Sequence, residues 1–506
     1  MAFERENFNV ARKIALGSST LTVECNVSAG SNVTKVLSLS VESFVQNSEV
    51  LNGVINYSGT VDTRLVIMAE DGQINTICSS CPFSSKFENG EIESGQEAFI
   101  KVKVIDYNVE SIGGEMVKIG VNLEQKGFVI GNREVGTISC HDDDVCIKNE
   151  EIDVIEFGGS AKETFTVESE INLRENIKKI ILTEARALVK NVEAGSGFVT
   201  ISGDVISRVL YLSENDKFES GYVYDTFKEE IELEGVTRES FVEGDAYVKQ
   251  DEVATEILQD EKGGKIVVKV PLVLSVRSYK ENKVTVIQDL YSVKSELNLS
   301  TESFNMTAVC PIEVVEGKIE GSLTLDEEHP RVDKLLFSGG NNVTVTNSYI
   351  RDGEVFIEGI AKTTAVYLND EDSSLHSVQL DVPFTISDKF NVEEGGVLMV
   401  DAVLCDVDVV VKKGREFYYD AKVKASVSYC HDRLGGIISS ATAVEEYTER
   451  DYAMEIIYAP SGKDLWEVAK YAKVKEEQIS SQNPEVIFPV NEDTPIVLFY
   501  QKTDAN

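Results

Sequence analysis

A short run of alternating apolar and polar residues that ends at a glycine occurs three times along this chain. The copies are Val54 to Gly59, Val199 to Gly203 and Val355 to Gly359, and a second, mostly apolar run begins five residues after each glycine. Alternation with a period of two, rich in β-branched residues, is typical of strands. The pattern therefore predicts three copies of one strand-rich unit.

Other landmarks keep nearly the same distance from these glycines. A phenylalanine follows them by 24, 24 and 25 residues, at Phe83, Phe227 and Phe384. A lysine that opens an apolar segment precedes them by the same intervals, at Lys35, Lys179 and Lys334. Each copy also has a glycine-containing turn between two apolar segments, at Gly113-Gly114, Gly263-Gly264 and Lys413-Gly414. Such turns suit tight antiparallel connections.

The third copy is predicted to carry an insertion. The opening strands are matched as Leu21–Val27, Phe165–Ile171 and Tyr291–Leu297, which end 32, 32 and 62 residues before the central glycines. The extra length is expected near residues 301–330. Within the second copy, Leu182 to Val189 is the most helix-like segment.

These spacings predict a mainly β protein with three tandem β-sandwich-like repeats and a small α+β domain at the end. The expected boundaries are 1–147, 148–290, 291–436 with the insertion, a linker at 437–451, and 452–506. An open sheet with one packed helix in each repeat would give a similar pattern. We interpret Gly59, Gly203 and Gly359 as structural residues that mark a bulge or bend.

The last fifty residues have a different pattern. Met454–Ala459 reads as a strand, and Asp464 with Glu467 three residues later resembles a capping box that opens a helix. A second short helix is expected from Lys475 to Gln482, ended by Asn483-Pro484, and a strand from Thr494 to Phe499. The predicted order is strand, helix, helix, strand.

The charge of the chain limits its partners. The formal net charge is −39, which disfavours binding to nucleic acid because such binding depends on lysine and arginine. The sequence shows neither a signal peptide nor a membrane span, so direct membrane insertion is not expected and a cytoplasmic location is. The eight cysteines do not repeat with the units and are expected to be reduced.

No cofactor, metal or catalytic centre is predicted. Cys78 and Cys81 form a CxxC that could join Cys140, His141 and Cys146 around zinc, but one such pair is weak support, and ordinary cysteines are the preferred interpretation. The four histidines do not occupy equivalent positions in the repeats, and no nucleophile elbow, zinc-protease motif or phosphate loop occurs. We therefore expect a protein that is not an enzyme.

The C-terminal segment resembles a LysM domain, on the residues Ser461 to Tyr471 and Asn483-Pro484. Many LysM domains bind N-acetylglucosamine-containing glycans in a groove between two loops. Here Lys463 replaces a usual aspartate, Val490 replaces a usual glycine, and Glu492-Asp493 adds negative charge near the expected groove. The three repeats resemble the SPOCS domain of endospore-forming bacteria.

The combination of three SPOCS repeats and one LysM domain resembles spore-coat morphogenetic proteins of Clostridia. The resemblance implies a sporulation scaffold in the mother-cell cytoplasm, at the forespore surface, whose LysM domain binds the coat ATPase called stage IV sporulation protein A. Other coat proteins, weak glycan binding and self-association remain open as further interactions. The alternative function is a glycan-binding protein that targets the coat to cortex or cell-wall peptidoglycan.

Seven residues of the C-terminal segment are the candidates for partner binding. Trp466, the only tryptophan, either packs in the small core or serves as an exposed anchor, and the first interpretation is preferred. Three others share one side of the first strand. The set is Met454, Ile456, Tyr458, Lys463, Asp464, Trp466 and Asn483.

Overall fold

The protein is built mainly from antiparallel β-sheets, as predicted. The computed structural model describes residues 3–173, 176–260, 263–390, 397–448, 450 and 453–500. The described strands and helices are grouped here as unit 1 (residues 3–140), unit 2 (145–292), unit 3 (295–446) and a C-terminal module (453–500).

Each unit contains very long strands at its beginning and end. The strands of unit 1 are β1 (Phe3–Ser28), β2 (Val33–Leu51), β3 (Val54–Ala69), β4 (Ile74–Glu88), β5 (Glu97–Gly113) and β6 (Met116–Cys140). Those of unit 2 are β7 (Val145–Asn172), β8 (Ile177–Ala194), β9 (Phe198–Ser213), β10 (Phe218–Glu232), β11 (Phe241–Val248), β12 (Ala254–Asp260) and β13 (Gly263–Ser292), with a 3₁₀ turn at Gln250–Glu252. Those of unit 3 are β14 (Ser295–Thr324), β15 (Val332–Arg351), β16 (Glu354–Asn369), β17 (Leu375–Lys389), β18 (Val397–Lys412) and β19 (Glu416–Glu446).

Two sheets face each other in every unit. The stem sheets contain the long strands and have the orders β1-β6-β5, β7-β13 with β11 and β12 beside β13, and β14-β19-β18. The ring sheets have the orders β2-β3-β4, β8-β9-β10 and β15-β16-β17. One apolar core lies between the two sheets of each unit.

The three ring sheets close around a shared apolar centre. Its members Leu37, Ile181 and Phe337 each lie 22 residues before the central glycine of their unit, and Val66, Leu210 and Val366 each lie seven residues after it. Contacts run in a circle, from β4 to β8, from β10 to β15 and from β17 to β2. The units are thus related by an approximate threefold axis within a single chain.

The long strand pairs pack together along the same axis. β1 with β6, β7 with β13 and β14 with β19 bring Val10, Val154 and Phe304 into one buried cluster. A second cluster near the strand ends includes Ile138 and Ile438. The stem sheets therefore extend well beyond the sandwich cores and bury their ends against each other.

The expected insertion in the third copy is wrong. Tyr291 and Ser292 belong to β13 of unit 2, and residues 301–324 continue the single strand β14. The end of β14 lies 35 residues before Gly359, compared with 31 residues between β1 or β7 and their glycines. Both ends of β14 alternate in polarity. The segment matched from sequence, Tyr291–Leu297, overlaps the beginning of this strand, whereas the end of β14 is the part equivalent to Leu21–Val27.

Two further predictions are corrected. Residues 437–446, expected in a linker, are the end of β19 and pair with β14. The helix-like segment Leu182 to Val189 is part of β8. This strand is buried on both sides, between its own stem sheet and the shared centre, so its apolar residues do not show a period of two.

The central glycines lie where two neighbouring strands approach each other closely. Each pairs directly with its phenylalanine, as in Gly203 with Phe227, and the strand on the other side is bulged immediately after the residue opposite the glycine. A Cβ on Gly203 would overlap the carbonyl oxygen of Leu188 and lie 2.8 Å from the Phe227 ring. Gly59 and Gly359 have the same surroundings in units 1 and 3. Because glycine has no side chain, the carbonyl of the neighbouring bulged strand and the phenylalanine ring both fit at this position.

The two cysteines of the CxxC point to opposite sides of β4. Cys81 is buried next to Cys25, whereas Cys78 is exposed. Burial, with the neighbouring Cys81 thiol, raises the pKa of Cys25. Residues three apart on a strand face away from each other, so this spacing does not place both thiols on one ligand.

A network of charges joins all three units, and its members Arg277 and Glu243 are buried. Lys101 of unit 1 contacts Asp245 of unit 2 at 2.7 Å and Asp401 of unit 3 at 2.5 Å. Arg277 contacts Asp245 and Glu243, each at 3.0 Å. Burial alone would raise the pKa of Asp401, but Lys101 and Lys103 outweigh burial, so its pKa lies below the ordinary value.

We expect Gly203→Ala to destabilise the protein by about 1–3 kcal/mol, because the new methyl group overpacks the site. Gly436→Ala is the control, since a Cβ there meets nothing within 4 Å. The measurement is the midpoint of chemical unfolding followed by circular dichroism. An equal midpoint for both variants would show that the close approach at Gly203 is not needed.

We expect Lys101→Met to cost about 1–3 kcal/mol, because it removes the cation that Asp245 and Asp401 share, while Arg277 and Lys103 still contact these carboxylates. The control is Lys103→Met. The Lys103 side chain is 43% exposed, contacts Asp401 at 3.3 Å and donates to the Val400 carbonyl at 2.6 Å; its cost should stay below about 1 kcal/mol. Thermal unfolding of both variants tests this, and similar losses would contradict the special role of Lys101.

Candidate functional site

The C-terminal module presents the candidate site. It consists of β20 (Met454–Ala459), α1 (Leu465–Ala472), α2 (Glu476–Gln482) and β21 (Thr494–Phe499), with the two strands antiparallel. The capping box is present, with Asp464 accepting from the Glu467 amide and the Glu467 side chain accepting from the Asp464 amide. Across the described residues, helices long and apolar enough to traverse a bilayer are absent.

The two-stranded sheet has one buried and one outward face. Ile457, Ala459, Ile496 and Leu498 point into the core of the module beneath the helices. The outward face consists of three cross-strand pairs, in which the register joins Met454 to Phe499, Ile456 to Val497 and Tyr458 to Pro495.

This outward face is apolar throughout and largely exposed. The exposed fractions are 52% for Met454, 51% for Ile456, 66% for Tyr458 and 54% for Phe499. Isolated exposed apolar residues are normal on protein surfaces, but a contiguous group marks an interaction surface. We call these six residues, Met454, Ile456, Tyr458, Pro495, Val497 and Phe499, the outer β-face.

Trp466 does not lie on this face. Only 8% of it is exposed, and its ring meets that of Tyr291, at the end of unit 2, edge to face at 4.9 Å between centroids. Its Nε1 donates to Asp289 at 2.8 Å, and Lys470 donates to the same carboxylate at 2.6 Å. The Tyr291 hydroxyl donates to the Val474 carbonyl at 2.8 Å. Trp466 thus fixes the module to the stem and is not an exposed anchor.

Asp289 is the central acceptor of this docking contact. Burial raises the pKa of Asp289, but the hydrogen bonds from Lys470 and Trp466 outweigh burial, so its pKa lies below the ordinary value. A carboxyl group with a lowered pKa stabilises the folded form above its unfolded pKa, about 3.9, and loses that contribution as the pH falls further. The docking contact is therefore fully formed at neutral pH.

The remaining predicted residues hold the module together. Lys463 pairs with Glu467 at 2.5 Å, and Asp464 caps α1. The Asn483 side chain donates to the Val497 carbonyl at 2.9 Å and accepts from the Val497 amide at 2.8 Å, which ties the end of α2 to β21. None of these three side chains belongs to the outer β-face.

The two loops that would border a glycan groove are bonded to each other. The Gly462 amide donates to the Val490 carbonyl at 2.7 Å, and the Val490 amide donates to the Lys463 carbonyl at 3.1 Å. The Ser461 hydroxyl donates to the Asn491 carbonyl at 2.7 Å, and the adjoining Glu492 and Asp493 are exposed. These main-chain groups are occupied, and acidic side chains stand beside them.

Sequence reasoning found half of the outer β-face. Met454, Ile456 and Tyr458 alternate along one strand and could be assigned to one side, whereas Pro495, Val497 and Phe499 were missed. The antiparallel pairing of Thr494–Phe499 with the first strand is the signal that could have identified them. Asp289 was missed because no local pattern relates it to Trp466, 177 residues away.

Comparison of the chain with protein-family models, with curated proteins and with solved structures gives no match.

We expect Asp289→Ala to weaken the docking of the module on unit 2 by about 2 kcal/mol, because two charge-assisted hydrogen bonds are lost. Trp466 is the only tryptophan, so its fluorescence emission reports this contact alone and should shift to longer wavelength. Asp153→Ala on β7 is the control, since Asp153 is exposed on the stem. Unchanged emission in Asp289→Ala would contradict the docking role.

Proposed function

We propose that this protein is a non-enzymatic adaptor of spore-coat assembly, made of three SPOCS-like repeats and a LysM-like module. In this proposal the module binds the coat ATPase, stage IV sporulation protein A, and helps the coat encase the forespore from the mother-cell cytoplasm. The observation that carries the proposal is the outer β-face, six contiguous apolar residues on a two-stranded sheet.

The surroundings of the outer β-face favour a protein partner. Burying large apolar side chains contributes about 1.5–3 kcal/mol each, and aromatic residues such as Tyr458 and Phe499 are frequent among the residues that dominate interfaces. The docking contact through Asp289 holds the module in one orientation on the stem. A partner bound at this face would be held at a defined position relative to the three units.

A glycan-binding role has less support. Glycan recognition in a LysM groove needs main-chain groups that are free to bond sugar, and here Gly462 and Val490 are bonded to each other. The exposed carboxylates of Glu492 and Asp493 add charge without an apolar platform. We therefore propose that the module recognises protein, with binding to other coat proteins secondary to the ATPase.

We expect Ile456→Asp to weaken binding of the ATPase at least about thirtyfold, because it places a charge in the centre of the apolar face, where changes of about 2 kcal/mol or more are typical. The full chain and purified ATPase are compared by isothermal titration calorimetry. Tyr471→Ser is the control, since Tyr471 is 75% exposed but belongs to α1, outside the outer β-face.

Trp466 emission must remain unchanged in Ile456→Asp, which shows that the module is still folded and docked. Wild-type affinity in this variant, with docking intact, would exclude the outer β-face as the binding surface. Binding of the unmodified chain to peptidoglycan fragments but not to the ATPase would instead support the glycan alternative.

A further inference from the structure

A cavity of about 1030 Å³ lies where the three units meet. One side is formed by unit 1, through residues 43–48 and 50 of β2 and residues 96–103 at β5. The other side includes Tyr247 of unit 2 and Leu398 of unit 3. The volume is at the upper end of the range for binding sites, about 300–1000 Å³.

The cavity is open because the units depart from the approximate threefold symmetry at this junction. In unit 2 the corresponding side, between β8 and β11, is covered by β14 of unit 3, whose Ile312 packs on the core of unit 2. Ile312 lies 12 residues before the end of β14, and Ser160 lies 12 residues before the end of β7. Ser160 lines the cavity of unit 1. A small hydroxyl side chain stands where the equivalent contact uses an isoleucine.

The strand β5 offers an unpaired edge to this cavity. Among the described strands, β5 pairs only with β6, and β2 pairs only with β3. The eight residues 96–103 span about 26 Å at about 3.3 Å per residue. The Val102 carbonyl already accepts from the Ser43 hydroxyl of β2 at 2.7 Å, so residues 97–101 are the part of this edge that could serve as a template for another strand. The geometry thus suits an extended peptide.

The charges around the cavity favour an acidic ligand. Lys101 and Arg277 already have carboxylate partners. Lys162 differs, because within the described part of the chain no carboxylate lies within 4 Å of its Nζ. Its ammonium group lies 5.2 Å from the centre of the Phe44 ring, and burial, with Lys249 nearby, lowers its pKa. Lys162 is exposed at the rim of the cavity, and a lysine without a carboxylate partner in a chain of net charge −39 is a site for an anion.

We propose that the cavity binds an extended acidic peptide segment of another protein, which adds as a strand to the free edge of β5 and places a carboxylate at Lys162. Main-chain hydrogen bonds to β5 would supply affinity, and the lysine together with the Phe44 ring would select acidic over basic segments. The site is separate from the outer β-face, so the proposal does not depend on the proposed binding of the ATPase.

The probe is a fluorescein-labelled, acetylated and amidated peptide of four Glu-Val repeats, titrated with the full chain and followed by fluorescence anisotropy. We expect saturable binding, with a Lys-Val peptide binding at least about tenfold more weakly. Lys162→Glu should weaken binding of the acidic probe at least about tenfold, the loss typical of one charge-assisted contact. Lys228→Glu, an exposed lysine on β10, changes the net charge equally and should have no effect.

Two further measurements separate strand addition from simple charge attraction. Only alternate N–H groups of an added strand face its neighbour, so N-methylation of alternate residues should abolish binding in one register and preserve it in the other. Ser160→Ile places at this junction the type of side chain that covers the equivalent side of unit 2, and it should weaken binding while the circular dichroism spectrum is retained.

The absence of saturable binding to the acidic probe would overturn the proposal. Equal losses in Lys162→Glu and Lys228→Glu would exclude the cavity as the site, and unchanged binding in Ser160→Ile would contradict binding beside Ser160. Equal binding of both methylated peptides would rule out strand addition to β5.

Discussion

The packing of three ring sheets around Leu37, Ile181 and Phe337 is the contact on which the rest of the architecture depends. A three-stranded sheet that is apolar on both faces cannot remain exposed on either, so each ring sheet needs a stem sheet on one side and two other ring sheets on the other. The circular packing covers the second apolar face of all three ring sheets. It also places the long strands side by side, so that their ends bury each other. The C-terminal module rests on the ends of β7 and β13.

The sequence predicted the mainly β class of the fold, and its recurring glycines could be found because they are under a local steric constraint. Gly59, Gly203 and Gly359 each lie against a phenylalanine ring and a main-chain carbonyl of the neighbouring strand, and no side chain fits there. The length of the stem strands could not be predicted in the same way. In β14 the alternation at one end belongs to the sandwich and at the other to the stem, and local polarity does not distinguish the two.

The candidate site shows the same division between local and distant determinants. Met454, Ile456 and Tyr458 could be grouped from sequence because strand geometry alone puts them on one side. The burial of Trp466 depends on Asp289 and Tyr291, which belong to unit 2. An indole with an apolar ring and one donor is stable in such a contact only when the donor finds an acceptor, and the identity of that acceptor is a property of the fold.

The threefold arrangement within one chain has a consequence for stoichiometry. A ring of three identical subunits would dissociate on dilution and would offer every surface in three copies. Here the ring is covalently continuous, so it cannot come apart into subunits, and each position can change independently of its two counterparts. Ile312 closes one junction, whereas Ser160 leaves the equivalent junction open. The molecule therefore has the geometry of a trimer with unlike junctions, so a ligand that fits the open junction of unit 1 would not fit the closed junction of unit 2.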